Sequence, residues 1–435
     1  MPIRPLFTTL ALACALITSG AHAQLRLPPV QLPQLPPLQG QLDSPLLRGS
    51  QRLLDRGDTG DLRSLRLQQV GDLLKRHRDV LEADPRGEPV VRRQILAWQA
   101  SPQGLETART AGLAVTGGAD GVLILHLPAG ADLGATLESL RAADPGGAYD
   151  YNHIYTGSGA VPPGRAPSAG TAAPSAGPDA AAGASRIGLV DSGIERGHEV
   201  FADAAIVRWG CDDGAHPSAH GTAVAALMVG RSERFLGAAP HATLYAADIY
   251  CDSGSGGSAA RIAAALGWLA REQVAAINLS LVGPHNQILE RVVHNMVQRG
   301  HLLVAAVGND GPAAPPLYPA SYPGVIGVSG VDKQGRPLPE AARGPQVMFA
   351  APGSQMVSAA IGTPPYRTVR GTSFAAPLVA ALLSRGLGAP APHAARAAIA
   401  RLADSATGVA AGTRSNEIGY GVLGAAFRTD PASLR

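Results

Sequence analysis

Three short blocks carry the residue types of acyl-transfer chemistry. Ile187-Gly188-Leu189-Val190-Asp191-Ser192-Gly193 ends an apolar run on a carboxylate. His220-Gly221-Thr222-Ala223-Val224-Ala225 opens an apolar helix pattern on an imidazole. Gly371-Thr372-Ser373-Phe374-Ala375-Ala376-Pro377 sets a hydroxyl between a Gly-Thr turn and a second apolar helix pattern. A serine hydroxyl is nearly inert near neutral pH and needs a base to take its proton as it attacks a carbonyl. Imidazole titrates close to that pH. A carboxylate can hold its tautomer and stabilise its charged form. Each block alone has an ordinary reading: a turn residue after a strand, a His-Gly loop, a serine N-cap. Together, in the order Asp, His, Ser, they form one of the known chain orders of a catalytic triad.

The elements that must hold these groups alternate in type. Apolar runs at 187–191, 242–250, 275–281, 302–307 and 325–331 read as strands. Helical patterns fall at 221–229, 258–271, 287–298, 373–385 and 393–403. Strands that are apolar on both faces predict an α/β fold, a mostly parallel, doubly wound sheet covered by helices on both sides. Active groups in such sheets gather at the carboxyl ends of strands. Asp191 and Asn309 fall at or just after strand ends, and Ser373 falls at a helix start.

The region before this sheet divides into several parts. Residues 1–23 read as an export signal: Arg4 supplies charge, Leu6 to Ile17 are mostly apolar, and Ala21-His22-Ala23 is a small-x-small cleavage site. A lipoprotein signal ending at Cys14 fits less well, because its apolar stretch is short and Ala11 suits it poorly. Residues 24–60 are rich in Leu, Pro and Gln, which block helix and sheet alike. Residues 61–89 hold a charged helical segment. Residues 90–156 follow a β-α-β-α-β pattern that suits a small α+β domain, with Ser101 and Asp132 as helix caps. Residues 157–185 are Ala, Gly, Pro and Ser, too poor in large side chains to order themselves. Residues 186–435 complete the chain.

Composition narrows the function classes. The chain has 435 residues, 46% of them apolar and only 4% aromatic, so a large aliphatic core is available. A formal charge of +3 does not mark a nucleic-acid surface. No later segment is long and apolar enough to span a membrane. With the signal removed, Cys211 and Cys251 remain, and an even pair in an exported chain predicts a disulfide, with two buried thiols as the alternative. Zinc does not suit His216 and His220 near Cys211, since no Cys-x-x-Cys accompanies them.

Taken together, the blocks around Asp191, His220 and Ser373 resemble the subtilase family of serine proteases, whose type member is subtilisin. The resemblance covers roughly residues 186–426. It implies a subtilisin-like fold and peptide-bond hydrolysis with no cofactor for the chemistry. It also implies structural calcium, for which no loop of this sequence matches. Val304-Ala305-Ala306-Val307-Gly308-Asn309-Asp310-Gly311 resembles the oxyanion segment, so Asn309 and the Ser373 amide are the expected donors; the ordinary reading of Gly308-Asn309 is a turn pair. Gly254-Ser255-Gly256 and Ser280-Leu281-Val282 resemble the two walls of the peptide channel, where an extended substrate would pair as a strand. Val282 and Leu317 stand where relatives often have glycine. The added bulk predicts a narrowed first pocket that favours small or medium apolar residues.

Residues 90–155 resemble the propeptide of that family. Asp150 to Tyr155 would be its last strand, whose tail enters the active site. The implied protein is an exported, extracellular or periplasmic endopeptidase, monomeric, acting on polypeptides. It would be held inactive by its own propeptide until a cut after Tyr155 or, preferably, in the following linker. A permanent accessory domain is the alternative for this segment. A catalytically silent binding or scaffold protein is the alternative for the whole. An α/β-hydrolase esterase fails, because Ser373 has no Gly-x-Ser-x-Gly elbow and the order would be Ser, acid, His.

Overall fold

The computed structural model describes residues 62–117, 121–157 and 185–431. The export signal, the Leu/Pro/Gln-rich stretch and nearly all of the 157–185 connector lie outside the described residues. Among the described residues no helix is long and apolar enough to cross a membrane.

The larger region is built on strands β7 (Arg186–Asp191), β8 (Ile206–Trp209), β9 (Thr243–Asp248), β10 (Ala276–Leu279), β12 (Leu302–Ala306), β13 (Ile326–Val331) and β14 (Val347–Pro352). They form a seven-stranded sheet in the order β14-β13-β12-β10-β7-β9-β8. Every pairing in it is parallel. The fold is α/β, as the apolar strands require. From β7 the chain goes first to one flank and later to the other, so the carboxyl end of β7 is a switch point where a crevice opens.

Helices cover both faces. Helices α4 (Ala219–Val229), α7 (Thr372–Ser384) and α8 (Pro392–Ser405) pack on one side, with Val224, Leu227, Phe374, Leu378 and Val379 in the core. Helices α5 (Ala259–Arg271) and α6 (Gln287–Gln298) pack on the other, around Ile262, Leu266, Leu289 and Val293. All described side chains of α4 after Ala219 are buried, and α7 is nearly so. That suits two helices that are apolar on every side.

The smaller region comprises α1 (Leu62–Arg76), β1 (Leu81–Ala83), β2 (Pro89–Trp98), α2 (Pro102–Thr110), β3 (Ala114–Gly117), β4 (Val122–His126), α3 (Leu133–Ala143) and β5 (Ala148–His153). Its antiparallel sheet has β5 along one edge of β2, and β1 then β4 along the other. Ser101 accepts from Gly104 N and Asp132 from Ala135 N, the two caps expected. Strand β5 then docks on the larger region at two helix ends. Asp150 accepts from Gln287 N at 2.7 Å and Asn152 from Ala260 N at 3.0 Å. Both fill the donor-rich first turns of α6 and α5.

The sequence pattern missed several strands. β3 is mostly exposed, and β8 has two exposed central residues, so neither shows a core-facing run. β14 ends in Ala-Ala-Pro, and the hairpin β15 (Met356–Ala359) and β16 (Tyr366–Val369) is too short for a clear alternation. β9 stops at Asp248, not Tyr250, because the Asp248 carboxylate takes the Tyr250 and Cys251 amides into a turn.

Candidate active site

Asp191 ends β7 at the switch point, His220 stands in the first turn of α4, and Ser373 stands in the first turn of α7. Their side chains form one chain of contacts. His220 Nδ1 lies 2.9 Å from Asp191 Oδ1, and His220 Nε2 lies 3.1 Å from Ser373 Oγ. A carboxylate can only accept, so Nδ1 carries the ring proton and Nε2 is left to accept from the serine. All three groups are at most 2% exposed.

Ser192 holds the acid in place. Its amide and its hydroxyl both donate to Asp191 Oδ1, at 2.7 and 3.0 Å. Ser192 Oγ accepts in turn from Gly221 N at 3.1 Å. This brings the α4 start so near that a Cβ on Gly221 would lie 2.2 Å from Ser192 O, which explains the glycine after His220. Sequence reasoning quoted Ser192 without a role. Its position between acid and base was the available signal.

Asn309 lies beside Ser373. Thr372 N donates to Asn309 Oδ1 at 3.0 Å, and Gly308 N donates to Thr372 Oγ1 at 3.2 Å. No bond to a described residue engages Asn309 Nδ2. The Ser373 amide belongs to the open first turn of α7, where backbone donors face outward. The Asn309 side chain and the Ser373 amide are thus two donors held at the same helix start. Ser280 donates to Ser373 O at 2.8 Å and accepts from Asn278 Nδ2 at 2.9 Å. The Asn278–Ser280 link had no sequence signal.

The chain after β5 pairs on two sides beside this site. Strand β6 (Thr156–Gly157) pairs antiparallel with β11 (Leu281–Val282), Thr156 opposite Val282 and Gly157 opposite Leu281. On the other side Tyr155 N donates to Gly257 O at 2.8 Å, and Ile154 bridges Ser258. Leu281 and Val282, expected to line a substrate channel, thus pair with this segment, and on the other side its bonds go to Gly257 and Ser258, next in the chain after Gly254, Ser255 and Gly256. Tyr155 is fully buried, its ring against Gly283 and its hydroxyl donating to Pro284 O at 2.7 Å. Tyr322 OH lies 3.4 Å from that hydroxyl. Leu317 and Val282 converge on Gly308: a Cβ there would lie 2.5 Å from Leu317 Cδ1 and 3.6 Å from Val282 Cγ1.

Cys211 and Cys251 are joined as a disulfide, with Cα atoms 5.3 Å apart. It ties the end of β8 to the loop that leads into Gly257. Among the described residues the one cluster of three candidate metal ligands is Cys211, Asp248 and Cys251. Calcium takes oxygen ligands, and this cluster offers one carboxylate beside two disulfide sulfurs, so it does not fit calcium.

The sequence profile of the Subtilase family matches residues 183–421. Thermitase of Thermoactinomyces vulgaris is 34% identical over 235 residues, 51% of this chain and 82% of that protein. Subtilisin E of Bacillus subtilis is 32% identical over 204 residues, 45% of this chain and 53% of that protein. Among solved structures, fervidolysin from Fervidobacterium pennivorans, a keratinolytic enzyme related to subtilisin, is similar with a TM-score of 0.65. That similarity covers 80% of this chain and 62% of the other at 20% identity, a likeness of fold.

Proposed function

Because this chain belongs to the subtilase family and is a serine endopeptidase, we propose that Ser373 is its nucleophile, His220 its general base and Asp191 the group that orients the base. The observation that carries this is the continuous contact from Asp191 through His220 to Ser373. Ser373 Oγ attacks the peptide carbonyl while His220 Nε2 takes its proton. The imidazolium that forms is stabilised by Asp191 and later protonates the leaving amine. Asn309 Nδ2 and the Ser373 amide hold the oxyanion. This chemistry uses side chains and amides of the chain, and no step runs through a metal. A fluorophosphonate probe tests the reading: it should label the cleaved protein and not its Ser373→Ala variant. Equal labelling of both, or none of either, would overturn it.

The substrate would enter as a strand between 257–258 and 281–282, where Tyr155 to Gly157 now lie. Occupation of that channel by the chain's own segment supports a self-inhibited precursor, with residues 90–157 as propeptide. The β6–β11 ladder runs on from Leu281 toward Ser280, whose hydroxyl touches Ser373 O. The maturation cut is therefore downstream of Gly157, in the linker, and not after Tyr155. An exported precursor agrees with the disulfide, which persists in oxidising compartments.

A further inference from the structure

Helix α1 precedes the strands of the propeptide-like sheet. It touches the larger region at two separate places. At one end, Arg66 Nε lies 3.3 Å from Asp310 Oδ2, on the residue after Asn309. Just past the other end, His77 is buried so close to the channel loop that a Cβ on Gly254 would lie 2.6 Å from its Nδ1. Between them, Leu73 packs with Leu81, Val91 and Ile154, the residue that starts the channel-bound tail. The eleven residues of helix from Arg66 to Arg76 span about 16 Å, so the two contacts are well separated along α1.

The charges in this contact are arranged in a specific way. Arg66 Nη2 also lies 3.8 Å from Glu88 Oε2, on the smaller region. Glu88 Oε2 is buried with no hydrogen-bond partner. Glu88 and Asp310 therefore meet across the interface as like charges, with Arg66 as the cation between them. Burial pushes the Asp310 carboxyl above the usual range, which Arg66 opposes and Glu88 reinforces. The Arg66 and Asp310 side chains are only 15% and 17% exposed, so solvent screens this contact less than an open surface pair.

We propose that the face carrying Asp310 and Gly254 is a docking surface for helix α1, which acts as a strap across the channel and holds the inhibitory tail in place, with Arg66 as its latch. The strap is distinct from the tail, and it rests on the reading of that tail as an inhibitor. Arg66 is a positioning residue, since it touches no reacting atom.

Two readouts test this on the full chain. The first is the lag before peptidase activity emerges. The second is amide exchange of residues 62–76 in the Ser373→Ala chain, which needs no catalysis. Arg66→Ala should shorten the lag and weaken protection of 62–76 by about thirtyfold each, the modest end for truncating a desolvated charge pair. Arg66→Ala with Glu88→Gln should recover most of both, because one of the facing carboxylates is gone. His77→Ala should act in the same direction as Arg66→Ala. Unchanged protection of 62–76 in both single variants would overturn the docking. Lost protection with an unchanged lag would overturn the inhibitory role, and so would loss spread equally over β2 and β4. Wild-type protein that stays inactive after the linker is cut and the propeptide-like region is separated from it would refute the endopeptidase reading, while protection of 62–76 in the Ser373→Ala chain would leave the docking standing.

Discussion

Asn309 offers the sharpest test of the active-site reading, because its two amide atoms do different things. Oδ1 accepts from Thr372 N at 3.0 Å, which fixes the side chain. Nδ2 has no bond to a described residue and is free for the oxyanion. Asn309→Ala removes both functions. Loss of one such donor costs about 2.7–4 kcal/mol in subtilisin, from which this magnitude is taken. At about 1.36 kcal/mol per tenfold, kcat should fall roughly 10² to 10³. KM should stay nearly unchanged, since the donor acts mainly on the transition state. Asn309→Asp separates the two atoms: it keeps the acceptor for Thr372 N and replaces the donor with an anion. It should be folded and at least as impaired as Asn309→Ala. The assay is steady-state hydrolysis of a peptide anilide by cleaved enzyme, with the melting temperature as control. A kcat within about threefold of wild type for Asn309→Ala, or a normal kcat for Asn309→Asp, would refute the reasoning, since either falls far below the donor term.

Tyr155→Phe removes one buried O–H from Pro284 O, worth about 1 kcal/mol, and should shorten the activation lag about fivefold. Tyr155→Ala removes the whole ring at a cost of about 3–5 kcal/mol and should all but abolish the lag; equal lags for both variants would count against a seated tail. Leu317→Gly with Val282→Gly should widen the first pocket and shift a peptide-library profile from small or medium apolar residues toward large ones; a wild-type profile already dominated by aromatic or basic residues would contradict the narrowing. Asp84 supplies a pH prediction. Burial alone would raise its carboxyl, but bonds from His153, the Glu88 and Arg86 amides and the Arg86 side chain outweigh it and hold it at about 2. A depressed acid contributes stability above its unfolded value, lost as pH falls through the folded one. The smaller region should therefore loosen between about pH 4 and 2. Asp84→Asn should flatten that step in pH-dependent amide exchange of the Ser373→Ala chain, and an identical step would dismiss it.

The proposed triad is legible because its chemistry is tied to residue type. Asp191, His220 and Ser373 are recognisable wherever the fold places them, and nearly continuous apolar strands named the sheet that does so. The residues that position them were not legible in the same way. Ser192, Thr372 and Ser280 are ordinary hydroxyls until tertiary contact puts them against Asp191, the Gly308 amide and Ser373 O. That Gly257 and Ser258 pair with the chain's own Ile154 and Tyr155 was not legible, because a Ser/Gly-rich loop has no side-chain pattern to fix its register. β3 and β8 escaped because exposed edge strands lack the apolar run that marks a central one. Arg66 escaped because a charged helix reads as a solvated face unless its partner is known.

The Cys211–Cys251 bond changes meaning once the channel is emptied. In the intact chain the loop it ties down is also leaned on by Tyr155 through Gly257 and by His77 through Gly254. On the proposed maturation, both supports would leave with the propeptide-like region. The covalent tie would stay, so the loop would keep an imprint of the strand withdrawn from it. The tail would then act as a mould, and the disulfide would let the casting outlast it.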